Sequence, residues 1–225
     1  MDDLTLLLTG KTHRHVVREA FSDQLIHKDV LGPFQKLRKD SIKNGFRIEI
    51  LSGFRDYDHQ KRIWNEKANG TRLLLDDHGH PLDPKKLTDE QKLFAMLRWS
   101  AIPGASRHHW GTEIDIYDGS KTESKKDVSL VPNESAPGGL FHPLHCWIHE
   151  QICMRSAHDF YLPYTKEVGS VAPELWHLSY APLSKRLREK YTFELFVTTI
   201  SIDPELALQK LIIKHARDIY DRFVI

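Results

Sequence analysis

The chain has 225 residues, with 40% hydrophobic and 10% aromatic side chains, enough to enclose a core in one generous domain or one domain with appendages. Its 32 basic residues stand against 31 acidic ones, so the composition carries no electrostatic footprint for nucleic acid or an anionic membrane. No apolar run is long enough to span a bilayer, and the start, Asp2-Asp3 followed by Leu4 to Leu8, is acidic where a secretion signal is basic. A cytoplasmic protein is the expectation.

Residues 1–28, with His13, His15 and apolar Val16, Val17, Phe21, Leu25 and Ile26, read as an irregular or helical lead-in. From Asp29, the recurrence of Leu31, Phe34, Leu37 and Ile42 predicts a helix stopped by Asn44-Gly45. Phe46 to Ile50 alternates apolar and polar residues, as a half-buried strand does. Ser52-Gly53-Phe54-Arg55 breaks it, and a helix is expected from about Asp56 through Gln60, Ile63 and Trp64 to Asn69-Gly70. Arg55 therefore stands at a strand-to-helix junction, where side chains commonly face a cleft.

Residues 71–100 read as an insertion. Asp76 to Pro81 is turn chemistry, and Thr88 with Gln91 three positions later caps a helix carrying Leu93, Phe94, Met96 and Leu97. Ile102-Pro103-Gly104 delivers the chain into Ser106-Arg-His108-His-Trp-Gly111-Thr-Glu-Ile-Asp115. Alternation over residues 112–117 puts Glu113, Asp115 and Tyr117 on one strand face and Ile114 and Ile116 on the other. Residues 118–139 read as a long surface loop.

A helix is expected from Leu144 to about Phe160. Cys146 and Cys153 lie about two turns apart on it, roughly 10 Å, too far for a disulfide, so buried free thiols in a reducing compartment are expected. Val168 to Ala172 leads as a loop or strand into Glu174-Leu-Trp176-His177, and the strand continues to Tyr180. Beyond Pro182, two helices are expected, Ser184 to Phe196 and residues 205–223, the second with Pro204 at its start. Their apolar positions, Leu206, Leu211, Ile212 and Ile219, suit core or dimer packing. The organisation read from this is a lead-in (1–28), one domain (29–182) interrupted at 71–100 and 118–139, and a helical extension (183–225).

The two motifs together supply what a catalytic zinc site requires. His108, Asp115 and His177 offer two nitrogens and one oxygen, with a fourth position left for water. Such an ion brings the pKa of its bound water to roughly 7. Glu174, three residues before His177, is placed to receive that water's proton and pass it to a departing amine. Arg55 is the candidate to stabilise the developing oxyanion. Taken singly, each of these side chains is more ordinarily a hydrogen-bonded or solvated group; their joint spacing removes most of the weight from that reading. His109 competes with His108 as the ligand. His145 and His149, at i and i+4, also have metal-binding spacing, but no carboxylate follows in the pattern a protease needs.

Ser106-x-His108-x-x-Gly111-x-x-x-Asp115 with Glu174-x-Trp176-His177 resembles the VanY/VanX-type D-alanyl-D-alanine peptidases, zinc enzymes that share a core with hedgehog domains. Ser52-Gly53-Phe54-Arg55-x-Tyr57-x-x-Gln60 is similar to that family's arginine motif, and His158-Asp-Phe160 with Leu162-Pro163-Tyr164 resembles the segment before its last motif. The resemblance covers roughly residues 30–182.

It implies an α+β fold with a small antiparallel sheet carrying the site between flanking helices. It also implies one Zn2+ per chain on His108, Asp115 and His177, Glu174 as base and Arg55 on the scissile carbonyl. Gln60, Ser106, Tyr57 and Trp176 are implied at the substrate, a peptide derived from peptidoglycan and ending in a D-amino acid. Two positions depart from the family pattern: Glu113 where a small residue is usual, and Leu175 where proline is common. The alternatives are an L-alanyl-D-glutamate endopeptidase of the lysin type and a non-catalytic zinc-stabilised binding module. A homo-oligomer formed through the C-terminal helices is a further expectation.

Overall fold

A computed structural model describes residues 2–167 and 170–224. Asp2 caps a short helix, α1 (Asp3–Leu8), by accepting from the Thr5 amide. The next segment departs from the expected irregular or helical lead-in: it is a hairpin of two three-residue antiparallel strands, β1 (Val16–Arg18) and β2 (Leu25–His27). Strands this short hold because the rest of the chain completes them. The Phe54 amide donates to the Leu25 carbonyl, and the His27 amide to the Gly111 carbonyl.

Helix α2 (Lys28–Lys43) ends at Asn44, as its stop signal requires, and β3 (Ile48–Ser52) follows. Asp56 caps α3 (Tyr57–Ala68) by accepting from the His59 amide. A two-residue hairpin, β4 (Leu74–Leu75) with β5 (Pro81–Leu82), fills the turn-rich segment. The expected capping box of Thr88 and Gln91 opens α4 (Asp89–Trp99). A 3₁₀ turn over Arg107–Trp110 then leads into β6 (Glu113–Asp118). After a short helix, α5 (Pro132–Ser135), comes α6 (His142–Cys153), shorter than expected. The chain leaves the helical path beyond Met154, with Arg155, His158 and Asp159 at positive φ.

Strands β7 (Phe160–Tyr161) and β8 (His177–Tyr180) complete the sheet. Val168 and Gly169, at the head of the expected lead-in to the second motif, lie outside the described residues. The expected helix from Ser184 to Phe196 is two, α7 (Ala181–Lys190) and α8 (Phe193–Ser201), because Thr192 caps a fresh start by accepting from the Leu195 amide. The region 205–223 likewise breaks into α9 (Gln209–Lys214) and α10 (Ala216–Ile219), preceded by Leu208 at a φ of 62°. Among the described residues no helix is long and apolar enough to cross a membrane.

The central sheet is antiparallel, in the order β3-β6-β8-β7. Its alternation divides two environments. Ile48, Ile50, Ile114, Ile116 and Leu178 bury one face against Val30, Phe34 and Leu37 of α2 and Leu144, Trp147 and Ile148 of α6. Each such side chain contributes about 1.5–3 kcal/mol relative to exposure, and a one-residue slip would turn all of them toward the polar face, so this core fixes the register. The opposite face presents Glu113, Asp115 and His177.

A second core joins α3 and α4 to the C-terminal helices through Trp64, Leu93, Met96, Phe196, Leu206, Ile212 and Ile219. The C-terminal apolar positions therefore pack within the chain, and oligomerisation through these helices is not supported. The cysteine expectation is also corrected. Leu144, His145, Trp147 and Ile148 form the buried face of α6, leaving both Cys146 and Cys153 free but exposed.

Candidate active site

Asp115 in β6 and His177 in β8 are direct cross-strand partners, and Ser52 of β3 pairs with Asp115 on its other side. His108 arrives from the 3₁₀ turn, which ends at Gly111 with φ 66°. A Cβ on Gly111 would come within 2.8 Å of the His27 amide nitrogen, and one on Gly53 within 2.3 Å of the Leu25 carbonyl oxygen. Two residues without side chains thus let the β1–β2 hairpin press against the loops that carry His108 and Arg55.

The imidazole of His108 donates from Nδ1 to the Gly53 carbonyl at 2.7 Å, which leaves Nε2 facing Asp115 Oδ2 at 3.3 Å. Burial, followed by the charge of Arg55, pulls the His108 pKa down. A neutral ring that already donates from Nδ1 has only a lone pair to offer at Nε2, so two electron-rich atoms face one another. That arrangement calls for a cation between them. On the other side, His177 Nε2 bonds Glu113 Oε2 at 2.9 Å, and Nδ1 lies 3.2 Å from Asp115 Oδ1.

Donor atoms from the three residues all lie within 4.8 Å of one another, and the three side chains are buried. Bonds of about 2.0–2.1 Å at tetrahedral angles place ligand atoms roughly 3.3 Å apart, so the separations match one small ion. Electrostatics agrees. Burial disfavours a charged His177, yet its bonds to Asp115 and Glu113 overturn that and lift its pKa to about 10. Asp115, despite its burial, is held well below the usual carboxylate range by His108 and His177. The pocket favours positive charge at its centre, and the donor set fits zinc.

Glu113 is the residue whose role the sequence left open. It is fully buried beneath His177, where its carboxylate also accepts from Arg107 at 3.1 Å and from the Ser179 hydroxyl at 2.8 Å. Burial alone would raise its pKa; Arg107 and His177 outweigh that and bring it to about 2. Glu113 thus orients His177 rather than adding a free charge to the cavity. Its signal in the sequence was its position, on the same strand face as Asp115.

Glu174 and Arg55 line one cavity of about 250 Å³ with His108, Asp115 and His177. Glu174 Oε2 lies 3.5 Å from His177 Nδ1, and burial, opposed by His177, pushes its pKa up to about 7. The Arg55 Nε is buried with no hydrogen-bond partner, so its donors are available to something entering the cavity. Its backbone is clamped on both sides: the amide donates to the His108 carbonyl, and the carbonyl accepts from His109 Nδ1 at 2.6 Å. The other nitrogen of His109 accepts from the Gly104 amide at 2.9 Å. Both His109 nitrogens are committed to backbone, which leaves ligation to His108.

Of the residues expected at the substrate, Ser106 and Trp176 line the cavity. Gln60 is buried, with its amide donating to the Ala101 carbonyl at 2.7 Å, and holds the cavity wall from behind. Tyr57 lies outside the cavity lining; its hydroxyl donates to Asp203 at 2.8 Å. Both apparent extras of the sequence contribute wall: Leu75 and Trp99 come from 71–100, Ser129 and Leu130 from 118–139, and Phe223 from the C-terminal end. The α6 histidines are elsewhere. His142 and His149 sit near the sulfurs of Cys146 and Cys153, at 3.4 and 3.7 Å. Among the described residues, His108, Asp115 and His177 form the one cluster of three that could hold a metal.

Comparison with known proteins gives the same picture. Residues 23–183 match the family model VanY: D-alanyl-D-alanine carboxypeptidase. Two uncharacterized proteins of Haemophilus influenzae are relatives. One is 40% identical over 99 residues (43% of this chain, 68% of the relative), the other 32% identical over 129 residues (55% and 93%). Among solved structures, the fold is similar to VanYB in complex with D-Alanine-D-Alanine, with a TM-score of 0.54, 18% identity and coverage of 82% of this chain and 88% of that one. It is also similar to a mutant of the vancomycin resistance D,D-pentapeptidase VanY in complex with Zn(II), with a TM-score of 0.53, 18% identity and coverage of 78% and 86%.

Proposed function

The chain belongs to the VanY family of D-alanyl-D-alanine carboxypeptidases, and we propose that it is a zinc-dependent peptidase cutting at or near the C-terminal D-amino acid of peptidoglycan stem peptides. One observation carries the reading: His108 Nε2, His177 Nδ1 and Asp115 converge in the cavity that also holds Glu174 and an unpartnered Arg55. The D-Alanine-D-Alanine and Zn(II) complexes of similar proteins support the substrate class and the metal.

Zinc bound by these three residues supplies an electrophile for the peptide carbonyl and lowers the cost of generating a water-derived nucleophile near neutrality. Arg55 holds the scissile carbonyl and stabilises the negative charge that grows on its oxygen, with a guanidinium whose Nε is itself buried. Glu174 accepts the proton released by the attacking water and gives it to the departing amine nitrogen. Its burial raises its affinity for a proton above that of an exposed carboxyl, which suits a group that must both take and release one. Ser106 and Trp176, on the walls, position the peptide.

The test is direct incubation of zinc-loaded protein with a stem pentapeptide ending in D-alanyl-D-alanine, with products weighed by mass spectrometry. Loss of one terminal alanine is expected. Internal cleavage would favour the lysin-type endopeptidase, and an unchanged peptide would return the chain to the class of binding modules.

A further inference from the structure

Lys67 is a cation placed on the wall of the cavity without an ion-paired carboxylate among the described residues. The i+7 spacing from Gln60 puts it two turns further along the same face of α3, and it lines the cavity together with Arg55, Ser106 and Glu174. Of its cationic neighbours, Arg72 pairs with Glu66 at 3.1 Å, whereas Arg55, like Lys67, feels Glu174 across the cavity without an ion pair among the described residues. Lys67 makes no salt bridge among the described residues, and its recorded partner is the Ser100 hydroxyl. That hydroxyl donates its hydrogen to the Trp99 carbonyl at 2.7 Å, so only a lone pair is turned toward the ammonium.

An ammonium has three donors, and Ser100 engages one. Two remain on a side chain that lines the cavity. Desolvation, then the charges of Arg72 and Arg55, outweigh the attraction of Glu174 and pull the Lys67 pKa down to about 8. Gln60, expected at the substrate's terminal residue, has its amide engaged with the Ala101 carbonyl instead. The polar group on this face of α3 that reaches the cavity is Lys67.

We propose that Lys67 receives a carboxylate of the substrate, with Ser100 fixing the direction of its ammonium, so that the enzyme selects peptides by a negative charge beside the bond it cuts. This rests on the peptidase reading and deepens it. Two sources of that charge exist: the terminal α-carboxylate, and a carboxylate carried within the chain by an acidic residue. The terminal one makes the protein an exopeptidase.

Three probes separate the cases: a peptide ending in D-alanyl-D-alanine as the free acid, the same peptide as the C-terminal amide, and an amide whose one carboxylate is carried by a γ-linked D-glutamate. Each is measured against wild type, Lys67→Met and Lys67→Arg, by turnover and by calorimetric binding. The free acid is expected to bind at least about tenfold better than the plain amide in wild type. Lys67→Met should erase that preference by raising KM for the acid about tenfold more than for the amide, and Lys67→Arg should restore most of it.

A preference that follows the internal carboxylate assigns the second source. Equal handling of all three probes by wild type, or a preference that survives in Lys67→Met, overturns the proposal while leaving hydrolysis intact. Lys67-dependent binding of the acid without turnover has the opposite meaning: the subsite stands and the peptidase reading falls.

Discussion

Asp115 and His177 face each other across two antiparallel strands, with Oδ1 3.2 Å from Nδ1, so two of the three proposed metal ligands are fixed by backbone pairing itself. Opposed residues in such a pair hold their Cβ atoms about 4.5–5.5 Å apart with little freedom, and His108 enters from a turn tied to Gly53. A preformed site of this kind is expected to retain metal through purification at about one zinc per chain. Elemental analysis checks the ratio. A chelator should abolish turnover and lower the melting temperature, and zinc should restore both. Full turnover in protein shown to be metal-free would sink the zinc assignment.

Glu113 stands one step behind the proposed metal ligands. Its carboxylate bonds His177 Nε2 and thereby sets which nitrogen faces Asp115. Replacing it with glutamine preserves the shape but removes the charge, and outer-shell carboxylates of this kind contribute roughly 10–100-fold to metal affinity. Glu113→Gln is therefore expected to bind zinc more weakly by that margin in a competition assay with a chromogenic chelator. It should also melt at lower temperature, because Arg107 loses its buried counter-ion. A variant that melts lower yet holds zinc as tightly as wild type would reduce Glu113 to a partner for Arg107.

Glu174 and Arg55 occupy the same cavity but should fail differently when replaced. Glu174→Gln keeps the ligands intact and removes the proton acceptor, so metal content should be unchanged while kcat falls by roughly 10²–10⁴-fold. Arg55→Met removes the donor to the charge developing on the carbonyl oxygen and is expected to lower kcat by about 10²–10³-fold. Single-turnover measurements with quantified zinc check both. If either variant kept the wild-type rate, that residue would leave the proposed mechanism.

The convergence of His108, Asp115 and His177 was legible because such chemistry is scarce and its spacing short. Alternation placed Asp115 opposite Ile114 and Ile116 before any tertiary information was used, and the family motif's register with Gly111 favoured His108 over His109. Lys67 was not legible as a site residue. Its helix face followed from Gln60, but the walls that enclose it with the catalytic groups come from Leu130, Tyr164 and Phe223, which lie 60 or more positions away. The β1–β2 hairpin escaped notice for a related reason: its strands are held by Gly111 and Phe54, and three-residue strands carry little pattern of their own. Cys146 was misplaced because α6 presents apolar residues over a wide arc, and cysteine passes for one of them. The split between α7 and α8 turned on a local contest at Thr192, where the side chain served as a cap rather than a helix-interior residue.

His145 offers a pH prediction independent of the metal site. Its ring is buried on α6, and neither nitrogen makes a well-formed hydrogen bond, although the Leu175 backbone favours the charged form. Burial, with His142 adding to it, pulls the pKa from 6.5 down to about 4. Between those values the unfolded chain binds a proton that the folded chain refuses, so the unfolded state gains as pH falls. The stability present above pH 6.5 is accordingly lost as pH drops toward 4, by on the order of 1–3 kcal/mol from this ring. Urea unfolding of wild type and His145→Leu at pH 7.5, 5.5 and 4.5, with chelator present throughout, isolates the effect as a difference between the two proteins. The variant should lose less stability over this range. Parallel loss in both would mean that His145 charges in the folded state, and that other groups govern the acid sensitivity.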